Sequence, residues 1–281
     1  VTAMPPRDDK DQLVYPVSRT VGVRRTRFGE DTRSTRSVAT ETPVALVFDG
    51  GTQAVMMATP ADLEDFALGF ALSERIIADP TEITRFEIAE QEQGVEVRLW
   101  LTPDQSRSLA ARRRTMAGPA GCGLCGIDSL SEALPALSEV TAQETFTPDQ
   151  VHRAMEALSA AQHLNAETRA THAAGFWTQD SGLIASAEDV GRHNALDKLI
   201  GRLTRQPVAP ATGMVVMTSR ISVELVQKTA RLGAGVLAAV SAPTSLAIDM
   251  ATASGMTLIG VTRDDGFEIF THPERIGQDH E

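Results

Sequence analysis

Between residues 214 and 261 short apolar runs alternate with stretches of helical length, and this alternation constrains the fold more than any other feature of the chain. Met214-Val-Val-Met217, Val236–Val240 and Thr257–Val261 read as strands, and Ser222–Leu232 and Thr244–Ala253 as helices. Strands separated by helical crossovers form a β-α-β-α-β unit, hence a parallel sheet with helices packed on it. Such sheets bind ligands outside the carboxyl ends of their strands, near helix N-termini. Here those ends are Thr218-Ser-Arg220, Ser241-Ala-Pro-Thr-Ser245 and Thr262-Arg-Asp-Asp-Gly266. Their hydroxyls and arginines suit phosphates or a polar heterocycle, although solvated loops are polar for simpler reasons as well.

Upstream, Val44–Phe48 and Gln53–Met57 read as a hairpin turning at Asp49-Gly50-Gly51. A helix should follow, capped by Thr59, with Pro60 at its first position and an apolar face through Leu63, Phe66, Phe70 and Ile77. Phe86–Ile88 and Val95–Leu101 read as strands, Asp128 and Pro148 as helix starts, and 175–186 as a hairpin containing Phe176 and Trp177 as core residues. Glu188–Ile200 becomes helical in its second half. Residues 1–37 lack periodicity and read as a mobile or strand-like arm.

The chain has 281 residues, 42% of them hydrophobic and 22% charged, enough apolar material for one large domain or two ordinary ones. Aromatics make up 4%, so the core must be mainly aliphatic. A formal charge of −11 argues against a nucleic-acid surface. The polar start carries no apolar targeting stretch, and no apolar run is long enough to cross a membrane. A cytoplasmic location is expected.

The chain has two cysteines, Cys122 and Cys125, in the loop Gly118-Pro-Ala-Gly-Cys-Gly-Leu-Cys-Gly126. Structural zinc needs four ligands, yet there is no second pair, and the nearest two of the six histidines are eight residues apart. A thioredoxin-like site wants a buried strand before the motif, where this chain has the basic, glycine-rich Arg112–Gly121. A zinc deaminase needs His-x-Glu ahead of Pro-Cys-x-x-Cys, but Gly121 stands where that proline should be and His272-Pro-Glu274 comes after the cysteines, so that chemistry is rejected. A sulfur carrier needs a thiolate on a pliable loop. Gly118, Gly121, Gly123 and Gly126 supply that freedom, while their bare amides, a helix start near Asp128 and Arg112–Arg114 would favour the thiolate. Two incidental cysteines in a glycine turn remain the bland alternative.

Several longer stretches occur in the order seen in one family. They are Thr59-Pro60 with the helix through Gly69-Phe70 and Glu74–Ile77, Gly121–Gly126, Glu188-Asp-Val-Gly-Arg-His-Asn-Ala-Leu-Asp-Lys198, Val240–Leu246 and Thr271–Arg275. Over residues 38 to 276 the chain resembles the formate dehydrogenase accessory sulfurtransferases, the FdhD family. The resemblance implies an α/β fold: a small N-terminal α+β domain (38–140), then a cytidine-deaminase-like three-layer α/β domain (141–276), with a tail over 277–281. It implies a homodimer that takes persulfide sulfur from a cysteine desulfurase onto Cys122, with Cys125 assisting or partly replacing it. The sulfur would pass to the molybdenum cofactor in its bis-guanine-dinucleotide form, destined for formate dehydrogenase. Val261, Thr262, Arg263, Asp264, Asp265 and Gly266 match the stretch where the family binds that cofactor. Arg263 would meet phosphate or guanine acceptors. Asp264 and Asp265 are more acidic than a phosphate neighbour should be; they would read guanine N–H groups or point away.

His193 reads first as a histidine hydrogen-bonded at a helix start, with proton donation or cofactor contact as the functional alternative, and Asp189 shares that status. Two rival functions stay open: a cofactor chaperone whose cysteines are only structural, and a thiol-disulfide oxidoreductase cycling Cys122 and Cys125.

Overall fold

A computed structural model describes residues 15–116, 137 and 139–277, with the side chains of 112–116 excepted. The glycine loop with Cys122 and Cys125 and the helix expected at Asp128 lie outside the described residues.

The described chain opens on an antiparallel ribbon, β1 (Ser18–Arg27) and β2 (Glu30–Ala39), that joins neither larger sheet. A four-stranded sheet comes next, from β3 (Thr42–Phe48), β4 (Gly51–Ala58), β5 (Ile83–Gln91) and β6 (Gly94–Leu101), in the order β4-β3-β6-β5. Helix α1 (Leu63–Ser73) separates β4 from β5, and α2 (Pro103–Met116) lies after β6. Then come α3 (Pro148–Ala160), α4 (His163–Thr168), β7 (His172–Thr178), β8 (Gly182–Asp189) and α5 (Arg192–Leu203). The chain continues through β9 (Gly213–Met217), α6 (Val223–Leu232), β10 (Val236–Ala239), α7 (Ser245–Ser254), β11 (Thr257–Arg263) and β12 (Gly266–Thr271).

The C-terminal alternation folds as its pattern requires. Strands β9, β10 and β11 are parallel, with Val236 paired to Met214 and to Thr257. Their aliphatic runs are buried on both faces, which is why they show no polar alternation. The sheet is mixed, however. Antiparallel hairpins flank the parallel trio, giving the order β12-β11-β10-β9-β7-β8. Val215 and Met217 face a core shared with α5, α6 and α7. Met214 and Val216 face the opposite core, closed by Val151, Ala154 and Leu158 of α3. Phe176 and Trp177 are core residues, and Trp177 meets Phe146 edge-on with ring centroids 6.3 Å apart. Gly233 and Gly255 end α6 and α7 in the left-handed conformation that stops a helix.

Two sequence expectations need correction. The first concerns α1, which begins at Leu63 behind a left-handed Asp62 (φ 54°), not at Pro60 behind a Thr59 cap. Thr59 is drawn elsewhere: its N–H donates to Asp189, its carbonyl accepts from Lys198, and its Oγ1 accepts from the Val190 N–H. A buried tertiary contact overrides the local start signal. The second is Ile77, expected on the face of α1 but lying past the helix end at Ser73. The stretch before the glycine loop, read only as basic and glycine-rich, is helical through Met116 as α2. Thr102, Pro103 and Asp104 carry its start signal.

Helix α1 is apolar almost all round, so it is buried on two sides. Phe66, Phe70 and Ala71 join a core with Val44, Leu46, Phe48, Val97 and Leu99 of the four-stranded sheet. Its other side meets α5 at backbone contact, because Gly69 and Gly201 carry no Cβ. A Cβ on Gly69 would lie 1.7 Å from the Asp197 carbonyl oxygen, and one on Gly201 2.0 Å from that of Asp65. Among the described residues no helix is long and apolar enough to cross a membrane.

Replacing Gly69 by Ala should force α1 and α5 apart and cost roughly 3 kcal/mol, the upper end of ordinary overpacking penalties. Urea denaturation monitored by circular dichroism measures this, and parental stability would show that the helices can separate freely.

Candidate functional site

The motif Glu188–Lys198 divides into residues that hold the fold and residues that face the sheet edge. Glu188 accepts from the Leu164 and Asn165 N–H groups at 2.7 and 2.8 Å and so fixes the start of α4. Asp189 is fully buried. Its Oδ1 accepts from the Gly191 N–H and Asn194 Nδ2, and its Oδ2 from the Thr59 N–H and, at 2.6 Å, Lys198 Nζ. Burial pulls the Lys198 amine below the usual lysine range, against the attraction of Asp189. Asn194 also donates to the Met57 carbonyl. Asp197, buried a turn further on, accepts from Ser73 Oγ at 2.7 Å and from Lys228 Nζ at 2.8 and 2.9 Å. Lys228 reaches Glu74 Oε1 as well, at 3.0 Å. Burial opposes its charge, and the carboxylates of Asp197 and Glu74 prevail, so its pKa is raised. Asp189 thus fits the structural reading.

The remaining motif residues open the site. Strands β8, β9, β10 and β11 all run toward one edge of the sheet, where α5, α6 and α7 begin. Successive loops at that edge are stitched together. The Ile221 N–H donates to the Ala242 carbonyl, the Thr244 N–H to the Ile221 carbonyl, and the Val261 N–H to the Ser241 carbonyl. His193 Nε2 lies 3.2 Å from Ser222 Oγ and 3.8 Å from Glu224. Burial first, then the neighbouring Arg192 guanidinium, holds its pKa down at about 4, so the imidazole is neutral. The His172 imidazole is lowered for the same two reasons. Arg192 Nε is buried with no hydrogen-bond partner among the described residues.

The segment Val261–Gly266 is the bulged end of β11 and its turn into β12. Val261 sits at φ 53°, a region that β-branched residues avoid, at the irregularity between Gly260 and Arg263. Thr262 is buried and donates to the Ala239 carbonyl at 2.9 Å. Arg263 Nη1 donates to the Val240 and Thr262 carbonyls, which ties the guanidinium to the end of β10. Asp264 and Asp265 are exposed in the turn, and Gly266 takes φ 156°.

All six residues from Val261 to Gly266 therefore lie at the edge where the sheet topology places a ligand. Cys122 and Cys125 lie outside the described residues. Arg192 and Ser222 were not singled out from sequence. The signal available for Arg192 was its position at the first turn of a helix just after a buried acid. Two arginines, a neutral imidazole and the N-termini of α5, α6 and α7 make this edge suited to an anionic, phosphate-bearing ligand.

Residues 39–277 match the model of the FdhD/NarQ family. The sulfur carrier protein FdhD of Agrobacterium fabrum is 51% identical over 259 residues, which cover 90% of this chain and 95% of the relative. That of Brucella abortus is 49% identical over 261 residues, 92% of this chain and 97% of the relative. A crystal structure described as a formate dehydrogenase accessory protein of Desulfotalea psychrophila superposes with a TM-score of 0.74 at 26% identity, covering 93% of this chain and all (100%) of that one.

Two measurements test the site's physical chemistry. Asp197→Ala leaves Lys228 buried without its nearest carboxylate and should cost roughly 3–5 kcal/mol; an unchanged denaturation midpoint would mean Lys228 is solvated. His193 is depressed in the folded state, so the unfolded chain takes up its proton first as pH falls. Its neutral form carries no penalty above about pH 6.5, and stability is lost as the pH drops from there toward about 4. His193→Gln should flatten the melting-temperature profile over that window, whereas parallel profiles for parent and variant would assign the acid sensitivity to other groups.

Proposed function

The chain belongs to the FdhD/NarQ family, and on that premise we propose that it carries sulfur for the maturation of a formate dehydrogenase. The relatives named as sulfur carriers match it over nearly their whole length, which supports reading the activity across the full chain. Cys122 is the carrier atom. Its thiolate attacks the terminal sulfur of a persulfide on a cysteine desulfurase; a new S–S bond forms on Cys122 and the donor leaves as a thiolate. Cys125 completes the transfer. Its thiolate attacks the Cys122 sulfur, the terminal sulfur departs as sulfide, and a Cys122–Cys125 disulfide remains for a cellular thiol to reduce. The two electrons that convert carried sulfur into sulfide thus come from the Cys125 thiolate.

The cargo is the molybdenum cofactor in its bis-guanine-dinucleotide form, treated as substrate. The observation that carries this part of the reading is the position of residues 261–266. The stretch assigned to the cofactor by resemblance is the bulged end of the last parallel strand, beside Arg263 and the N-termini of α6 and α7. Arg263 would meet phosphate oxygens, and the exposed Asp264 and Asp265 would accept from guanine N–H groups. Neutral His193 and Arg192 lie at the same edge and would order the charged end of the ligand. The same reading assigns residues 38–140 to an N-terminal domain and 141–276 to a cytidine-deaminase-like domain, with action in the cytoplasm as a homodimer.

Intact-mass spectrometry after incubation with a cysteine desulfurase and cysteine should show a gain of about one sulfur atom per chain, absent in Cys122→Ala. In cells that variant should lack formate dehydrogenase activity while the enzyme's abundance stays normal. No mass gain in the parent would instead favour a chaperone whose cysteines do not carry sulfur.

A further inference from the structure

We propose that the β1–β2 ribbon is a docking arm for an acidic, aliphatic-bearing segment of a partner protein. The proposal rests on the carrier reading only in that a carrier must meet other proteins. The ribbon precedes the residues matched by the family model, which begin at 39. It forms a two-stranded sheet of its own, and a lone pair of strands is marginally stable in water. Its base is anchored: Ser18 Oγ donates to Glu167 at 2.9 Å, and Arg36 donates to the Thr168 carbonyl at the end of α4.

The charge of the ribbon runs against that of the chain. Residues 18–39 hold six arginines and two acids, in a protein whose formal charge is −11. Strand alternation sorts these residues onto two faces. On one, Asp31 accepts from Arg24 and Thr26, which neutralises part of the charge. The other sets Arg19, Arg25, Arg27 and Arg36 among Val21, Val23 and Val38, with Arg19 opposite Val38 and Val21 opposite Arg36, and its one acid, Glu30, stands opposite Arg27 at the tip. Arginine is enriched at protein interfaces, and the valines between these arginines add apolar area to the track.

The tip carries a second, independent sign. Phe28 and Gly29 form the two-residue turn between the strands, at φ 50° and 86°. Turns with both central residues at positive φ favour Asn or Asp at the first position. Phenylalanine is strained there and is fully exposed to solvent. The turn gains nothing from this side chain. An aromatic anchor beside arginines is the residue pair that dominates binding energy at protein interfaces. The interleaved valines favour a polypeptide over a nucleic acid, whose phosphates offer them no apolar partner. An extended peptide with alternating acidic and aliphatic residues matches the track and can pair along a free edge of the ribbon.

Fluorescence anisotropy with the full-length chain tests this, using a labelled peptide of alternating glutamate and leucine and a length-matched single-stranded DNA. The peptide should bind, more weakly as salt rises. Combined Arg19→Gln, Arg25→Gln and Arg27→Gln should weaken it about tenfold or more. Phe28→Asn should weaken it as well while suiting the turn better, so the loss cannot be assigned to unfolding. Unchanged binding in both variants, tighter binding of the DNA, or ribbon-dependent self-association that excludes the peptide in sedimentation velocity would each overturn the proposal. Persulfide loading of Cys122, measured on the same samples, separates the two ideas. Loading retained with peptide binding lost assigns the loss to the arm. Loading absent from a parent that still binds peptide removes the carrier reading and leaves the arm standing.

Discussion

The two buried ion pairs of α5 are the constraint on which the rest of the structure depends. Asp189 with Lys198, and Asp197 with Lys228, bury charge-bearing pairs away from the surface. Such charges persist only when every lone pair and proton finds a partner. Those partners come from other elements: the backbone of Thr59, Ser73 at the end of α1, and Glu74 beyond it. The closest approach of α1 to α5, permitted by Gly69 and Gly201, brings these groups within reach. Packing and charge therefore impose one geometry. The glycines let the helices touch, and the ion pairs fix where along their length they do so.

That geometry also positions the functional edge. Because Asp189, Asn194, Asp197 and Lys198 are engaged inward, Arg192 and His193 are the polar motif residues left toward the sheet edge, where His193 reaches Ser222 beyond β9. They thus form the first turn of a buried helix and the flank of the candidate edge. The bulge at Val261 does a comparable job from the far side of the edge, turning β11 before its last residues and holding Arg263 across the end of β10.

How much of this was legible in the sequence depends on the range of the interaction. The parallel trio was readable because Met214–Met217, Val236–Ala239 and Leu258–Ile259 are aliphatic on both faces, a local property. The candidate stretch 261–266 was chosen by topology and family resemblance together, and it lies at the end of β11 as the topology required. The start of α1 was misread because the contacts of Thr59 lie in the motif some 130 residues later. Nothing local reports Ser73 against Asp197, 124 positions apart. Helix α2 escaped notice although Thr102-Pro103-Asp104 signals its start, since the basic, glycine-rich run of residues 112–121 masks the helical stretch ahead of it. In the ribbon the apolar alternation is confined to Val21 and Val23 among arginines, too brief to fix a hairpin from the sequence. Cys122 and Cys125, read from the sequence as reactive thiols, lie outside the described residues.

The threading of Thr59 has a mechanical consequence. Its amide, carbonyl and hydroxyl all bond into the Asp189–Val190–Lys198 corner, so the elbow between β4 and α1 is riveted to the larger sheet. A swing of one sheet against the other would have to break three hydrogen bonds in a dry interior at once. The elbow therefore opposes a clamshell motion of the two sheets, and holds the first sheet in step with the edge that His193 flanks.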